Sequence, residues 1–222
     1  MDLVVSYKNT SNLLTDVRQI IDQTRELAFR SVNVAMLQRN WHLGKRISEE
    51  ILQGEDRAEY GSQVIVQLSK ELTQIYGKGF TKSYLYNYVR FYKTFPNIFQ
   101  SPIGQSKLLS WTHYNLLLDV SNDEAREWYA DEAYREGWSV RTMQRNISSQ
   151  YYHRMLLSQH KDGVRDEMKQ LTAPMQDDKL EFIKNPVVAE FLGLAPNSDL
   201  YESKLESAII AHIQKFVMGL GK

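Results

Sequence analysis

The stretch that most constrains the fold runs from Gln63 to Phe95, QVIVQLSKELTQIYGKGFTKSYLYNYVRFYKTF. Val64, Ile65, Leu68, Leu72 and Ile75 recur at helical spacing, which predicts one amphipathic helix. Gly77 stands where a left-handed C-terminal cap belongs, and Gly79 follows it. Thr81 is placed to cap a second helix by accepting a backbone N–H bond. Pro96 ends that helix, because it drives the preceding residue out of the helical region. Two helices joined by so short a turn must fold against each other, as in a helix-turn-helix unit.

The second of these helices has two unlike faces. Leu85, Val89, Tyr92 and Phe95 lie near one stripe and are expected to bury against the first helix. Lys82, Ser83, Tyr86, Asn87, Arg90 and Lys93 lie on or beside the other. Lysine and arginine neutralise phosphates, while asparagine, serine and tyrosine bond phosphates or base edges. A solvated face on an ordinary core helix would carry the same residue types, so composition alone leaves both readings open.

A second helix pair follows the same plan. Ser121 or Asn122 caps DEAREWYADEAYRE, whose acidic first turn suits a helix N-terminus. Gly137 ends it. Ser139 caps VRTMQRNISSQYYHRML, with Val140, Met143, Ile147 and Met155 expected inward. Arg141, Gln144, Arg145, Ser148, Ser149 and Tyr152 gather toward the other side. Between Arg135 and Arg154 four arginines stand against one acid, Glu136. Arginine, glutamine and serine on one helix face suit phosphate and base contacts. Arginine stems covering apolar surface would account for them equally well.

The remaining segments frame these pairs. Residues 11–53 carry a helical stripe from Leu14, Val17, Ile20 and Ile21 through Val32, Leu37 and Trp41 to Ile47 and Ile51, capped by Ser11 or Thr10. Gly44 is either a break or a close-packing site. Trp41 is expected in the core and His42 on a polar rim. GEDRAEYG reads as a polar loop. KLLSWTHYNLLLDV, at 107–120, is apolar nearly all round, which predicts a buried central helix holding a satisfied His113. Residues 158–180 lose periodicity and carry Gly and Pro, so a boundary is placed there. Ser198 to Gly219 gives a last amphipathic helix.

The chain is 42% hydrophobic, enough for a core, and no segment reads as a strand. The expected class is all-α. Lysine plus arginine number 27 and aspartate plus glutamate 27, so any nucleic-acid site must be a local patch. The chain has no cysteine, which excludes disulfides and thiolate metal sites. The first residues lack the pattern of a signal peptide and no apolar run would span a bilayer, so a cytoplasmic protein without a membrane partner is expected. No GxxxxGK[ST], GxGxxG, HExxH or GxSxG is present. Neighbouring acids such as Glu49 with Glu50, or Asp131 with Glu132, lie on helices dense in charge and read as solvated. No catalytic residue, metal ligand or cofactor site is assigned.

NVAMLQRNWHLGKRISEEI, YGSQVIVQLSKELTQIYGKGFTKSYLYNYVRFYKTFP, LLSWTHYNLLL and REWYADEAYREGWSVRTMQRNI together resemble the N-terminal domain of the bacterial YhcG-type family. The signatures W-x-x-G-x-x-I, YG, G-x-GF, SW-x-H-Y and W-S-V-R occur in the family's order, from about Asn33 onward. The resemblance implies a nuclease of the PD-(D/E)xK type, whose helical half precedes the metal-binding core. YESKLESAIIAHIQKFVMGLGK looks like the opening helix of that core, and Glu206 matches its helix glutamate. The strands that carry the catalytic Asp and the D/E-x-K pair have no counterpart here. The resemblance thus implies three parts. A helical domain spans 1–157 and a linker with a short helix spans 158–200. The first helix of a truncated nuclease core spans 201–222. On this basis the chain is expected to bind DNA through Lys82, Ser83, Tyr86, Asn87, Arg90, Lys93, Arg141, Gln144, Arg145 and Ser149. It is expected to be inactive alone, with magnesium required only by a full-length relative. The alternative is a protein-interaction module that pairs with a second copy or a separate nuclease half.

Overall fold

The computed structural model describes residues 9–53, 58–100 and 108–175. Among these residues every regular element is helical, so the expected all-α class is what the chain forms. The helices are α1 (Leu13–Gln53), α2 (Ala58–Tyr76), α3 (Lys82–Thr94), α4 (Trp111–Leu118), α5 (Asp123–Glu136), α6 (Val140–Ser148), α7 (Tyr151–Leu157) and α8 (Lys161–Thr172). Short 3-10 turns fill Lys78–Phe80 and Ala173–Met175. None of the described helices is long and apolar enough to cross a membrane.

Helix α1 is one unbroken rod of 41 residues. Its cap is Asn12, not Ser11 or Thr10. The Asn12 side-chain oxygen accepts the N–H groups of Leu14 (3.0 Å) and Thr15 (3.2 Å). Thr10 is drawn off by Asp16, to which its hydroxyl donates at 2.7 Å. Gly44 is the close-packing site. A methyl group there would lie 1.9 Å from the carbonyl oxygen of Tyr88, so the α1 and α3 backbones meet at a spacing only glycine permits.

That contact corrects the expected packing of the first helix pair. Helix α3 lies mainly along α1, not along α2. Its buried stripe holds Leu85 and Val89 as expected, and also Tyr88 and Phe91. The Trp41 indole donates to the carbonyl of Phe95 at 3.0 Å, satisfying an acceptor just past the end of α3. The Tyr88 hydroxyl donates to the carbonyl of Gly79 at 2.8 Å and fixes the turn. Gly77 does take a positive φ of 97°, a conformation that favours glycine, but its ψ of −165° lies outside the left-handed helical region. Thr81 is the residue before α3, yet its side chain makes no capping bond. Its backbone carbonyl accepts the Leu85 N–H instead.

Helix α4 is central, with Trp111, His113, Tyr114, Leu117 and Leu118 buried. Phe91 meets Trp111 and Tyr114 edge-on or tilted at 5.3 and 5.1 Å between ring centres, which joins α3 to α4. The other side of α4 receives the second helix pair. Asn122 accepts the Ala125 N–H at 2.7 Å and caps α5. Gly137 closes α5 in the left-handed region, and Ser139 accepts the Thr142 N–H at 3.1 Å to cap α6. All three of these expectations hold.

The long helix expected after Ser139 is two helices. Gln150 takes a left-handed conformation (φ 53°) between α6 and α7. The bend turns Tyr151 and Tyr152 inward, onto Trp128 at 5.3 and 5.6 Å. Tyr152 is therefore buried, not part of a polar face. The Tyr129 hydroxyl secures the bend by accepting the Tyr152 N–H (3.0 Å) and donating to the Asn146 carbonyl (3.3 Å). The stretch after 158, where periodicity was expected to lapse, holds α8, with Met168 and Thr172 buried. The segment from 176, including Glu206 and the helix expected over Ser198–Gly219, lies outside the described residues.

One expected stripe has no cover among the described residues. Leu13, Leu14, Val17 and Ile21 are exposed, Leu13 at 77%. Deep burial along the apolar stripe of α1 begins only at Val32.

Candidate nucleic-acid interface

The first candidate face is the outer side of α3. Lys82, Ser83, Tyr86, Arg90 and Lys93 are exposed there, and Asn87 is half-buried at its edge. The reason is periodicity: burial of Leu85, Tyr88, Val89 and Phe91 leaves these positions facing outward. Two of them are tied to α4. Arg90 donates to the Leu118 carbonyl at 2.5 Å and pairs with Asp119 at 3.0 Å, so its cation sits on the acceptor-rich C-terminus of α4. Asn87 donates to the Asn115 side chain at 3.3 Å. Lys82 instead leans over the ring of Tyr86, with the ammonium 5.8 Å from its centre.

The second candidate face is α6. Thr142, Met143 and Asn146 point inward, which turns Arg141, Gln144, Arg145 and Ser148 outward. Ser149 is half-buried and its hydroxyl donates to the Asn146 carbonyl at 3.2 Å. The four-arginine patch read from sequence is smaller in space. Arg135 bonds the carboxylate of buried Glu132, and Arg154 pairs with Glu167 at 2.5 Å. Arg141 and Arg145 are exposed one helical turn apart near the start of α6. Glu136, the acid inside the patch, is engaged by Lys169 at 2.8 Å. That hydrogen bond, ahead of the opposing effect of burial, holds its carboxyl below the ordinary value.

Helices α5 and α6 meet through a three-residue turn, Gly137-Trp138-Ser139, with the glycine left-handed. The turn leaves the first residues of α6 at the outer edge of the pair. The turn is braced from α4. The Ser110 hydroxyl contacts His113 Nδ1 at 2.6 Å, and Nε2 lies 3.0 Å from the Trp138 carbonyl. A carbonyl only accepts, so Nε2 carries the proton and Nδ1 accepts from Ser110. Burial pushes the His113 pKa down, and the neutral ring fits both contacts. His113 is a buried joint between α4 and the second turn, as the sequence suggested.

Sequence reasoning overlooked one signal. From Glu71 to Asp119 no acidic residue intervenes, while Lys78, Lys82, Arg90, Lys93 and Lys107 do. In a chain of zero net charge, this segregates positive charge onto the first turn, α3 and the approach to α4. It also singles out Lys78 and Tyr76, both exposed beside the turn. Among the described residues no three His, Cys, Asp or Glu side chains gather to hold a metal ion.

Most signature residues shared with the resembled family serve the fold. Trp41 and Gly44 seat α3, Gly79 receives the Tyr88 hydroxyl, and Ser110 and His113 brace the second turn. Residues 16–154 match the model of the DUF1016 N-terminal domain family. The chain is also 34% identical, over 232 residues, to the Escherichia coli (strain K12) protein named "Putative nuclease YhcG". That match covers 91% of this chain and 60% of the relative, so the chain spans less than two thirds of the relative's length. No solved structure matches.

Proposed function

The chain belongs to the DUF1016 N-terminal domain family, and on that premise we propose that it is the DNA-binding half of a YhcG-type nuclease. The observation that carries this reading is the start of α6. There Arg141, Gln144 and Arg145 project from the first turns of a helix that follows a left-handed glycine turn. Arginine can neutralise a phosphate or bond guanine bidentately, and glutamine suits adenine. Lys82, Ser83, Tyr86 and Lys93 on α3 supply a second contact face, with Arg90 and Asn87 fastening that face to α4. The run from Leu72 to Leu118 carries no acid in a chain of zero net charge, which supports a local basic patch here.

The described residues do not fit a metal centre, so no cleavage step is derived from them. Magnesium and strand scission belong, on this reading, to a nuclease core of the relative's kind. DNA inside a bacterial cytoplasm is the matching partner.

The test is titration of a labelled duplex across a salt series, with and without magnesium. Binding should weaken steeply with salt and no cutting should appear. Replacing both Arg141 and Arg145 with alanine should lower the slope of log K against log salt by about 2, for all sequences alike. An unchanged slope would remove α6 from the interface.

A second reading rests on the bare start of α1. Leu14, Val17 and Ile21 form a stripe beside Leu13, and apolar surface at helical spacing suits a partner helix. On that reading the protein is an interaction module for a second copy or a separate nuclease subunit. Self-association that survives salt high enough to abolish DNA binding, and is lost in Leu14→Glu with Ile21→Glu, would favour it.

A further inference from the structure

The turn between α2 and α3 carries a feature that groove reading does not use. Tyr76, the last residue of α2, is 60% exposed, and Tyr86 on the second turn of α3 is 37% exposed. Neither ring is needed to fill the core. Each is nonetheless propped by planar or cationic groups. The ring of Tyr76 lies 5.6 Å from that of Phe80, and Phe80 in turn lies under the guanidinium of Arg39 at 5.4 Å. Arg39, Phe80 and Tyr76 thus form a short run of π-faced groups whose outer member is open to solvent. Tyr86 has the Lys82 ammonium over it. Lys78 is exposed between the two tyrosines in sequence.

Two solvent-facing aromatic rings, one with Lys82 over it and the other two residues before exposed Lys78, in a segment without a carboxylate, are the ingredients of a base-stacking platform. Every base has a π-face, so such a platform accepts any sequence, and the lysines follow the phosphates. A paired base keeps its faces against its neighbours in the duplex. Only an unpaired base can offer a face to Tyr76 or Tyr86 without paying to leave the stack.

We propose that Tyr76, Lys78, Lys82 and Tyr86 form a binding site for unpaired nucleotides of DNA, distinct from the duplex-facing surface of α6. This deepens the DNA-binding reading and rests on it. The division of labour is that α6 meets paired DNA while the first turn holds a single-stranded stretch or a displaced end.

The experiment uses the full chain and two labelled probes, a short oligo(dT) strand and the same strand in a duplex. Binding of both is expected. Tyr76→Leu and Tyr86→Leu keep apolar bulk but remove the ring, and each should weaken single-strand binding roughly 5- to 100-fold. Duplex binding by Tyr76→Leu should stay within about twofold of the parent, since Tyr76 lies outside the α3 and α6 faces that carry the groove and phosphate contacts. Tyr76→Phe and Tyr86→Phe should bind the single strand like the parent, because stacking needs the ring and not the hydroxyl. Single-strand binding that ignores both leucine variants would overturn the proposal. So would Phe variants as weak as the Leu ones, which would assign the effect to the hydroxyl. Duplex binding with no single-strand binding would also overturn it, while leaving the DNA-binding reading intact. Absence of binding to either probe would remove both.

Discussion

The two helix pairs, α2 with α3 and α5 with α6, are each joined by a short turn and differ in what holds them. The first is held by tertiary contact. Its turn lacks a left-handed helical cap at Gly77, its second helix has no side-chain cap, and α3 is fixed by α1 through Gly44, Trp41 and Tyr88. The second is held locally. Asn122 and Ser139 cap their helices, Gly137 closes α5 in the left-handed region, and His113 adds one brace from α4. A helix held by its neighbours can carry a wide polar outer face without helping its own ends. A short helix such as α6 has little to bury and depends on its caps. The chain can therefore vary outer residues of α3 such as Ser83 and Lys93 with little effect on the fold, whereas Gly44 is fixed.

The sharpest way to break the comparison is at that glycine. Gly44→Ala places a carbon 1.9 Å from the Tyr88 carbonyl oxygen, and backbone cannot rotate away as a side chain can. The loss of stability should reach or exceed the top of the roughly 1–3 kcal/mol range for overpacking, read by urea unfolding. Gly137→Ala is the matched change in the second unit. Nothing lies within 4 Å of the new methyl, and only the left-handed backbone (φ 62°) opposes it. A cost of about 1 kcal/mol is expected. Equal losses at the two glycines would mean that the approach of Tyr88 to Gly44 costs no more than the left-handed backbone at Gly137, and that the α1–α3 contact is looser than described.

A second, smaller effect tests the brace between the units. The folded pKa of His113 lies below its ordinary value, chiefly through desolvation. Below about pH 6.5 the unfolded chain then binds more protons than the folded one, so stability is complete above that pH and falls as acid is added. The loss cannot exceed about 1.4 kcal/mol per pH unit, the limit for one proton. Glu136 titrates in a different window. Its carboxyl is held below the ordinary value, so its contribution is present above about pH 4.5 and is lost only as pH falls further. Denaturation curves that coincide from pH 7 to 5 would show that His113 titrates alike in both states.

Those two sites also show what a single sequence can disclose. Caps and stops are local, so Asn122, Gly137 and Ser139 were legible from residue type and position. The burial of Trp41 and His113 followed from periodicity for the same reason. Competition and phase were not legible. Asn12 wins the first cap because Asp16 captures Thr10, and a left-handed Gln150 is a choice that glycine statistics do not foresee. That one residue turned Tyr152 from the polar side to the core. The outward position of the α3 and α6 faces was legible. The engagement of Arg90, Arg135 and Arg154 depends on where carboxylates and carbonyls from other turns and helices arrive, and periodicity along one helix carries no such record. The acid-free run around α3 was readable all along, but it is a pattern of absence that motif templates do not search.

The smallest effect separates the units at their caps. Ser139 accepts the Thr142 N–H at 3.1 Å, and its hydroxyl also donates to the Met175 carbonyl at 2.7 Å. Ser139→Ala should cost about 1 kcal/mol, within the 0.5–2 kcal/mol span for lost N-caps. Thr81 occupies the same place before α3, but its side chain caps nothing. Thr81→Ala should therefore change stability by no more than a few tenths of a kcal/mol, the scale of a surface substitution. The pair is informative because both positions read as caps in the sequence. A large loss at Thr81 would show that its hydroxyl serves α3 in solution, and the first unit would then be held by local bonds as the second is. A negligible loss at Ser139 would show the reverse, that α6 is kept in place by Met143 and its neighbours in the core. In that case the two units would differ only in what their outer faces present.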